Sequence, residues 1–401
     1  MKRGIKMAKA TLRIAAAFFL VFLCHPLGSA GVMAANDPLD TLVKEQANSP
    51  ETEQVNEYWR KLMDEYGGFF PDNQAPSIME MIVPGGEGFH FIQALKGLAA
   101  YLFHELLVNG KLLASIVVLS VFSQILQTLQ GAFEKNSISK IAYAIVYTVL
   151  IIIAINSFSV AIGYAKSAIE NMIHFMAAMI PLLLTMLASM GNVVSASVMH
   201  PLIVFMVHTV GTLIYTIIFP LLFFSAVLHI VSTLSDKYKV TQLADLLRKV
   251  SVGMLGVFLT VFLGVISVQG VAGAVTDGVT LRTAKYVTGN FVPVVGSLFS
   301  DATDAVVSAS LIVKNAIGLV GVVIILLLCA FPAVKILALA FVYNLSAAVL
   351  QPLGSSPITK CLDTIGKSLI YVFAALATVG LMFFLAVTVM ISAGNISVMM
   401  R

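Results

Sequence analysis

Charged side chains are scarce in this sequence. Of its 401 residues, 11% are Asp, Glu, Lys or Arg, whereas charged residues make up about a quarter of an ordinary soluble protein. Hydrophobic residues make up 59%, and the mean hydropathy is +0.96. This composition excludes an ordinary soluble protein and predicts an all-α, polytopic helical membrane protein.

The sequence also lacks the residue patterns of common catalytic and metal sites. It has no glycine-rich phosphate loop, zinc-ligand spacing or nucleophile elbow. Its three cysteines, Cys24, Cys329 and Cys361, form neither metal-ligand spacing nor a disulfide framework. We therefore predict a protein that is not an enzyme, with no catalytic residues, no cofactor and no bound metal.

Acidic residues are absent from the apolar stretches that we predict to span the membrane. Proton- and sodium-coupled transporters commonly place carboxylates at mid-membrane, so this absence argues against an ion-coupled pump. Four histidines lie in or beside these stretches: His174, His200, His208 and His229. They are widely spaced and have no carboxylate partners, which favours packing or helix-end hydrogen bonding over a proton relay or a metal site.

The N-terminal part of the chain has the features of a signal peptide followed by an exported region. Residues 1–35 begin with a basic region, followed by a short apolar core and small residues, which predicts a cleaved signal peptide; an uncleaved anchor is the alternative. The mature N-terminus is then extracytoplasmic. From residue 36 to residue 90, eleven acidic residues stand against three basic ones, so residues 36–88 are predicted to form an acidic extracytoplasmic region. Residues 89–110 follow as an amphipathic interfacial helix.

Residues 111–401 are predicted to form a multi-span helical membrane domain of about 7–9 segments, including broken or re-entrant helices. The apolar runs are residues 112–129, 141–164, 172–190, 250–268, 316–334, 336–353 and 369–391. Residues 201–234 are too long for one span and contain Pro220, so we predict a hairpin or a re-entrant pair there. Lys335 separates two runs and predicts a tight cytoplasmic turn; the alternatives are a lysine that snorkels from one bent helix or serves a pore.

A basic loop interrupts the apolar part of the chain at residues 236–249. Because short basic loops stay cytoplasmic, this loop sets the orientation of the neighbouring spans. Its apolar edge at residues 240–247 predicts a short interfacial helix. Four side chains make it a candidate cytoplasmic docking loop: Lys237, Lys239, Arg248 and Lys249.

The span at residues 250–268 carries small residues at steps of three and four. They are Gly253, Gly256, Thr260, Gly264 and Ser267. Such a face lets helix backbones approach closely, so it predicts a helix-packing face against protein. Packing within the chain is favoured over a moving or oligomerising helix, because small faces are common in membrane bundles.

A helix from residue 297 onward would carry one polar stripe on an apolar body. The stripe consists of Ser297, Asp301, Asp304, Ser308 and Asn315. It must face water, an aqueous cavity or another subunit. A water-facing conduit and an amphipathic helix on the outer surface are equally well supported at this point.

Two stretches resemble a known family. VTQLADLLRKVSVGMLGVFLTVFLGVISVQG at residues 240–270 and RTAKYVTGNFVPVVGSLFSDATDAVVSASLIVKNAIG at residues 282–318, with the order of signal, polar region and spans, resemble the stage III sporulation protein AE family of endospore-forming bacteria. The resemblance implies a multi-pass protein of the mother-cell membrane around the forespore. It implies as partners the sibling stage III sporulation proteins AA to AH and the forespore stage II sporulation protein Q, together with the lipid bilayer and no nucleic acid.

The resemblance also implies a place in a secretion-like channel complex that joins the two cells and supports forespore development. Two hypotheses follow from different classes of function. In the first, the chain is a conduit or export-gate subunit; in the second, it is a membrane scaffold that anchors a ring and an ATPase. A stand-alone small-solute transporter is a third and weaker hypothesis, and a homo-oligomer remains possible under each.

Overall fold

In a computed structural model, residues 50–70, 91–132, 137–234, 240–291, 295–354 and 356–399 are described. They all belong to one compact unit, Leu39–Arg401; a second unit, Met1–Pro38, lies outside the described residues. The predicted signal peptide at residues 1–35 therefore also lies outside them.

Helices make up almost all of the described backbone. They are α1 (Pro50–Tyr66), α2 (Phe91–Val108), α3 (Gly110–Ala132), α4 (Ser137–Ser189), α5 (Val193–Leu213), α6 (Phe219–Leu234), α7 (Thr241–Phe291), α8 (Val295–Leu350) and α9 (Pro357–Met399). A π-helical turn, Ile214–Ile218, joins α5 to α6, and short 3-10 turns, Gly67–Phe69 and Gln351–Leu353, follow α1 and α8. The prediction of an all-α polytopic protein is confirmed.

Six helical segments are long and apolar enough to cross a membrane. They are Gly110–Thr128, Ile141–Ser189, Val193–Thr233, Thr241–Thr280, Ser310–Leu350 and Pro357–Ile396. The last five each contain 40 residues or more. At a rise of 1.5 Å per residue they are about 60 Å long, roughly twice the thickness of the hydrocarbon layer.

Several predicted segments are joined in the structure. Residues 141–164 and 172–190 lie in one helix, α4, and the interfacial helix and span predicted between residues 240 and 268 both lie in α7. The turn predicted at Lys335 is wrong, because α8 continues through Lys335 without interruption. Pro332 also lies inside this helix, which continues past it although proline cannot donate a backbone hydrogen bond.

The hairpin predicted at residues 201–234 is also wrong. α5, the π-helical turn and α6 form one continuous helix, and the turn Ile214–Ile218 lies directly before Pro220. Proline cannot donate a backbone hydrogen bond, and its ring crowds the carbonyl four residues earlier. A π-helical turn widens the helix at this point, so the chain passes the proline without reversing direction.

Three long helices, α4, α8 and α9, form the centre of the bundle. α4 runs antiparallel to α8: the Tyr343 hydroxyl donates to Ser157 Oγ at 2.8 Å, while Gly321, 22 residues before Tyr343, faces Met179, 22 residues after Ser157. α1 and α3 pack on both α4 and α8, and α2 packs on α8. α5 packs mainly on α4, α7 mainly on α9, and α6 on α7 and α9.

The antiparallel packing gives the bundle two ends. We call the end where α3, α6 and α8 finish the basic end, because the chain segments that follow α3 and α6 contain Lys135 and Lys237. We call the other end, where α4 and α7 finish and α5 and α8 begin, the polar end. The segments after α3 and α6 therefore lie at the same end of the bundle.

Candidate functional site

Glycines on α9 bring α8 and α9 into close contact. Gly366, Gly380 and Gly394 stand 14 residues apart, and each faces a side chain of α8. Their α8 neighbours are Asn344, Cys329 and Lys314. A Cβ at Gly394 would overlap the amine of Lys314, so the absence of a side chain makes room for a lysine inside the bundle.

Lys314 is a lysine buried between α8 and α9, with 1% of its surface exposed. Its Nζ donates to the carbonyl of Ile391 at 2.9 Å and lies 3.4 Å from Asn395 Oδ1. No carboxylate among the described residues lies within salt-bridge distance of this amine. Polar groups inside a membrane bundle are costly, so a buried amine with neutral partners is a candidate functional position.

Asn315 follows directly and is half-buried. Its Oδ1 is buried and has no hydrogen-bond partner among the described residues. Buried amide oxygens are normally satisfied, and an unsatisfied one indicates a group reserved for water, for an ion or for another molecule. Lys314 and Asn315 are thus two polar residues at the point where α8 enters the apolar bundle.

The predicted polar stripe lies on one continuous helix, because residues 297–315 all belong to α8. Ser308 is exposed and Asn315 is half-buried. The side chains of Ser297, Asp301 and Asp304 lie outside the described residues. The direction in which the stripe faces therefore stays a prediction.

The small face predicted on α7 does not pack within the chain. Gly253, Gly256, Thr260, Gly264 and Ser267 are all exposed. A Cβ at any of the three glycines would meet no atom within 4 Å. The intramolecular packing that we favoured is therefore not present, and contact with a second chain or with lipid stays a prediction.

Other glycines of α7, nearer its C-terminus, do pack against neighbouring helices. A Cβ at Gly273 would come within 2.7 Å of Ser195 Oγ, and one at Gly270 within 2.5 Å of Val389. One turn after Gly273, Asp277 is buried and accepts hydrogen bonds from the backbone amides of Val194 at 3.0 Å and Ser195 at 2.9 Å.

Asp277 thus caps the first turn of α5 from a neighbouring helix. The amides of a helix N-terminus lack partners in their own helix, and the helix dipole favours a negative charge there. The sequence alone does not identify this contact, because Asp277 lies 82 residues from Ser195. A single acidic residue after a glycine-rich stretch was the signal present in the sequence.

The predicted docking loop is divided by the structure. Lys237 and Lys239 lie outside the described residues, and Lys249 is exposed. Arg248 instead packs inside the chain: its guanidinium lies 3.1 Å from the His229 ring and 5.0 Å from the centre of the Tyr371 ring. Arg248 therefore holds α6, α7 and α9 together and is not a free docking charge.

Replacing Arg248 by alanine is expected to destabilise the protein by about 2 kcal/mol, because a half-buried guanidinium loses both its His229 and its Tyr371 contacts. Lys249→Ala is the matched control, since its side chain is exposed, and should change stability by no more than about 0.5 kcal/mol. Thermal unfolding of the two purified variants in detergent measures the difference. Equal midpoints would show that Arg248 does not stabilise this contact.

Lys335 lies among aromatic rings at the centre of α8. Its Nζ is 5.3 Å from the centre of the Tyr164 ring, 5.9 Å from Tyr66 and 6.0 Å from Tyr101. The faces of aromatic rings attract cations, so three tyrosines from α1, α2 and α4 stabilise this amine. Phe331, one turn away, stacks on Tyr66 with ring centres 4.0 Å apart.

The tyrosines of α1 and α2 in this cluster are neutral. Burial, and then hydrogen bonding to Glu65, raises the pKa of Tyr66 far above its ordinary value. Burial and a hydrogen bond with Glu105 likewise raise the pKa of Tyr101. Both phenols therefore remain protonated throughout the physiological range, and the attraction to Lys335 comes from their rings.

The four histidines are not brought together. His174, His200 and His208 are exposed on the bundle, and His229 Nδ1 lies 2.8 Å from the Ser225 carbonyl. His229 Nε2 lies 3.2 Å from Asp245 Oδ1, so the expectation that none of the histidines has a carboxylate partner is wrong for His229. Among the described residues, no group of three or more His, Cys, Asp or Glu side chains could hold a metal ion. Cys329 and Cys361 are free thiols.

Comparison with known proteins places these features in a family. A family model described as stage III sporulation protein AE matches residues 74–394. The chain is also 56% identical over 362 residues to the stage III sporulation protein AE of Bacillus subtilis (strain 168), and the match covers 90% of each chain. No solved structure matches the chain. The family match begins after α1, which ends at Tyr66.

Proposed function

The chain belongs to the stage III sporulation protein AE family, and from this premise we propose that it is a channel or export-gate component of a secretion-like complex between mother cell and forespore. The family name supports a role in sporulation, and the six apolar segments support a multi-pass membrane protein. In this proposal the chain works in the mother-cell membrane with the sibling stage III proteins AA to AH and with stage II sporulation protein Q.

One observation supports the proposed conduit. Lys314 and Asn315 bring a buried amine and an unsatisfied amide oxygen to the place where the stripe of Ser297, Asp301, Asp304 and Ser308 meets the apolar bundle. Groups of this kind in membrane proteins face the bundle interior or a water-filled cavity, and they mark substrate and ion pathways. We propose that this part of α8 lines the mouth of an aqueous path.

The orientation in the membrane belongs to the same proposal. The segments that follow α3 and α6 carry Lys135 and Lys140, and Lys237 and Lys239. Short basic segments stay in the cytoplasm, so the basic end is cytoplasmic and the polar end extracytoplasmic. The beginning of α2 and the end of α9 then both lie toward the extracytoplasmic side.

Cysteine labelling along residues 297–315 tests the conduit. Single cysteines are introduced in the assembled complex, in a background without Cys24, Cys329 and Cys361, and a membrane-impermeant thiol reagent is applied from either face. We expect labelling with a period near 3.6 that includes positions 301, 304 and 308, from both faces, because only a water path gives access from the far side.

Labelling from the extracytoplasmic face alone would contradict the conduit. It would support the scaffold hypothesis, in which the chain anchors a ring and an ATPase without conducting. The exposed Lys249, together with Lys237 and Lys239, would then supply the docking charges. Arg248 is excluded from that set, because its guanidinium is bound inside the chain.

A further inference from the structure

A stretch of α8 without charges has the length of one membrane crossing. Lys314 and Lys335 are separated by 20 uncharged residues, 315–334, which we call the α8 window. At 1.5 Å per residue the α8 window is about 30 Å long, the thickness of the hydrocarbon layer. It begins at the polar end and finishes at the tyrosine cluster around Lys335.

Two neighbouring helices, α7 and α9, are also uncharged at the same level, whereas α4 carries the exposed Lys166 and Glu170 there. α9 carries no charge from residue 368 to residue 399, and α7 carries none from residue 250 to residue 276. Contacts relate the three helices: Gly380 of α9 faces Cys329, and Phe383 packs against Phe262 of α7 with ring centres 6.4 Å apart. The α8 window is therefore the natural membrane level of this part of the bundle.

α1 lies alongside this level. At one end Tyr66 stacks on Phe331. Eight residues earlier, the Tyr58 ring lies 5.3 Å from the ring of Phe175, which in turn faces Gly321. The second half of α1, residues 58–66, therefore runs from the level of Gly321 to that of Phe331, inside the α8 window.

One face of α1 is apolar and buried, and the other is charged and exposed. The buried side chains are Val55, Trp59, Leu62 and Tyr66. The exposed charges are Glu53, Glu57, Arg60, Lys61, Asp64 and Glu65. Four of these charges, Arg60, Lys61, Asp64 and Glu65, lie between Tyr58 and Tyr66, and at the middle of a membrane level they cannot face hydrocarbon, since lipid offers them no hydration.

The exposed face of α7 has the opposite character. Val257, Val261 and Val268 are exposed, and no charge lies among them. Val261 precedes Phe262, whose ring contacts Phe383, three residues from Gly380, so it lies near the level of Cys329, within the α8 window. The two flanks of the bundle thus differ at one level: α1 presents charges and α7 presents apolar side chains.

We propose that the flank of α4 and α8 that carries α1 borders water within the thickness of the membrane, while the outer face of α7 contacts lipid. α1, anchored by the Lys335 cluster, is then a wall of the aqueous space that reaches the membrane level from the extracytoplasmic side. The inference rests on the proposed conduit, which supplies that space, and it adds a lining element that lies before the family match.

Thiol reactivity of three matched cysteines tests the proposal. Glu57→Cys, Leu62→Cys and Val261→Cys are made singly, in a background lacking Cys24, Cys329 and Cys361, and studied in membrane vesicles from sporulating cells that carry the complex. A hydrophilic, membrane-impermeant maleimide is applied from the extracytoplasmic face. It reacts with thiolate, which forms in water and not in hydrocarbon or a packed protein interface.

We expect Glu57→Cys to react at least about 100-fold faster than Val261→Cys and Leu62→Cys, because a buried thiol is rarely ionised. A slow reaction at all three positions would overturn the proposal, since α1 would then be enclosed by lipid or protein. Fast reaction at both position 57 and position 261 would also overturn it, because the whole level would lie outside the membrane. Fast reaction at position 62 would show that α1 is not docked.

These outcomes are separate from those of the α8 labelling. Position 57 can react from the extracytoplasmic face even if residues 297–315 are never reached from the far side. In that case α1 lines a closed vestibule and the conduit proposal alone fails. If the α8 stripe is reached from both faces and position 57 is unreactive, the conduit stands and the placement of α1 is wrong.

Discussion

Leucine in place of Gly380 is expected to disrupt the α8–α9 interface and to lower the free energy of unfolding by about 3 kcal/mol or more. A Cβ at this position would already come within 2.5 Å of Cys329 Sγ and 3.0 Å of its Cβ, with Met172 Sδ at 4.0 Å. Three helices meet here, so no neighbouring side chain can move into free space. The larger side chain must separate α8 from α9.

Gly256 supplies the matched control. It also lies within a long helix, but a Cβ there would meet no atom within 4 Å. Gly256→Leu should leave the chain as stable as before or up to about 1 kcal/mol more stable, because leucine has the higher helix propensity. The two substitutions therefore have opposite expected effects, although both replace a helical glycine.

Thermal unfolding of the purified variants in detergent measures this difference. We expect Gly380→Leu to lower the midpoint by roughly 5 °C or more and Gly256→Leu to leave it unchanged. Similar loss in both variants would contradict the glycine assignment. If Gly256→Leu keeps the midpoint but no longer co-purifies with other copies or partners, the small face of α7 contacts a second chain.

Glycine patterns show which part of the packing could be predicted from sequence. The five small residues on α7 have the spacing of a packing face, yet they are exposed. Gly366, Gly380 and Gly394 form the contact instead, at steps of 14 residues that a search for steps of three and four does not detect. Spacing identifies small faces, but only the partner helix decides which of them is used.

The number of membrane crossings was predicted less accurately than the helical fold class, and the errors have one physical cause. A hydropathy profile is divided into apolar runs of about 20 residues, because that length crosses one bilayer. Five segments in this chain contain 40 residues or more. We therefore divided α4 at Tyr164 and α8 at Lys335. A charge divides a helix only if it must reach bulk water, and Lys335 is stabilised by tyrosine rings instead.

Two of these errors compensate each other. α4 makes one pass where two were predicted, and residues 201–234 make one pass where an even number was predicted. The segment after α6 consequently returns to the end of the bundle at which α3 finishes, as the charge rule required. The rule constrains parity, so it cannot distinguish a hairpin from a continuous helix.

Removal of the Asp277 carboxylate is expected to cost about 3 kcal/mol, although Asp277 was not identified from the sequence. Its two oxygens accept hydrogen bonds from Val194 and Ser195 at the start of α5, and the residue is only 2% exposed. Asp277→Ala leaves the buried amide of Ser195 and the part-buried amide of Val194 without acceptors and removes a negative charge from the positive end of the helix dipole. Both effects oppose folding.

Asp363→Ala is the control for this prediction. Asp363 also forms a charged contact, with Lys367 one turn later, but about half of its side chain is exposed. Exposed pairs of this spacing contribute about 0.5 kcal/mol, so its loss should be barely measurable. Unfolding midpoints that are equal for the two variants would show that the Asp277 cap is not stabilising.

Hydrogen exchange locates the effect within the chain. In Asp277→Ala, the amides of Val194 and Ser195 should exchange faster, because they lose their acceptors and the first turn of α5 frays. Amides in the middle of α4 should be unaffected. Asp277→Asn should give an intermediate result, since the carboxamide keeps one acceptor and loses the charge. Because the cap joins α7 to α5 at the polar end, a local loss of protection there would show that this contact fixes the two helices where α8 enters the bundle.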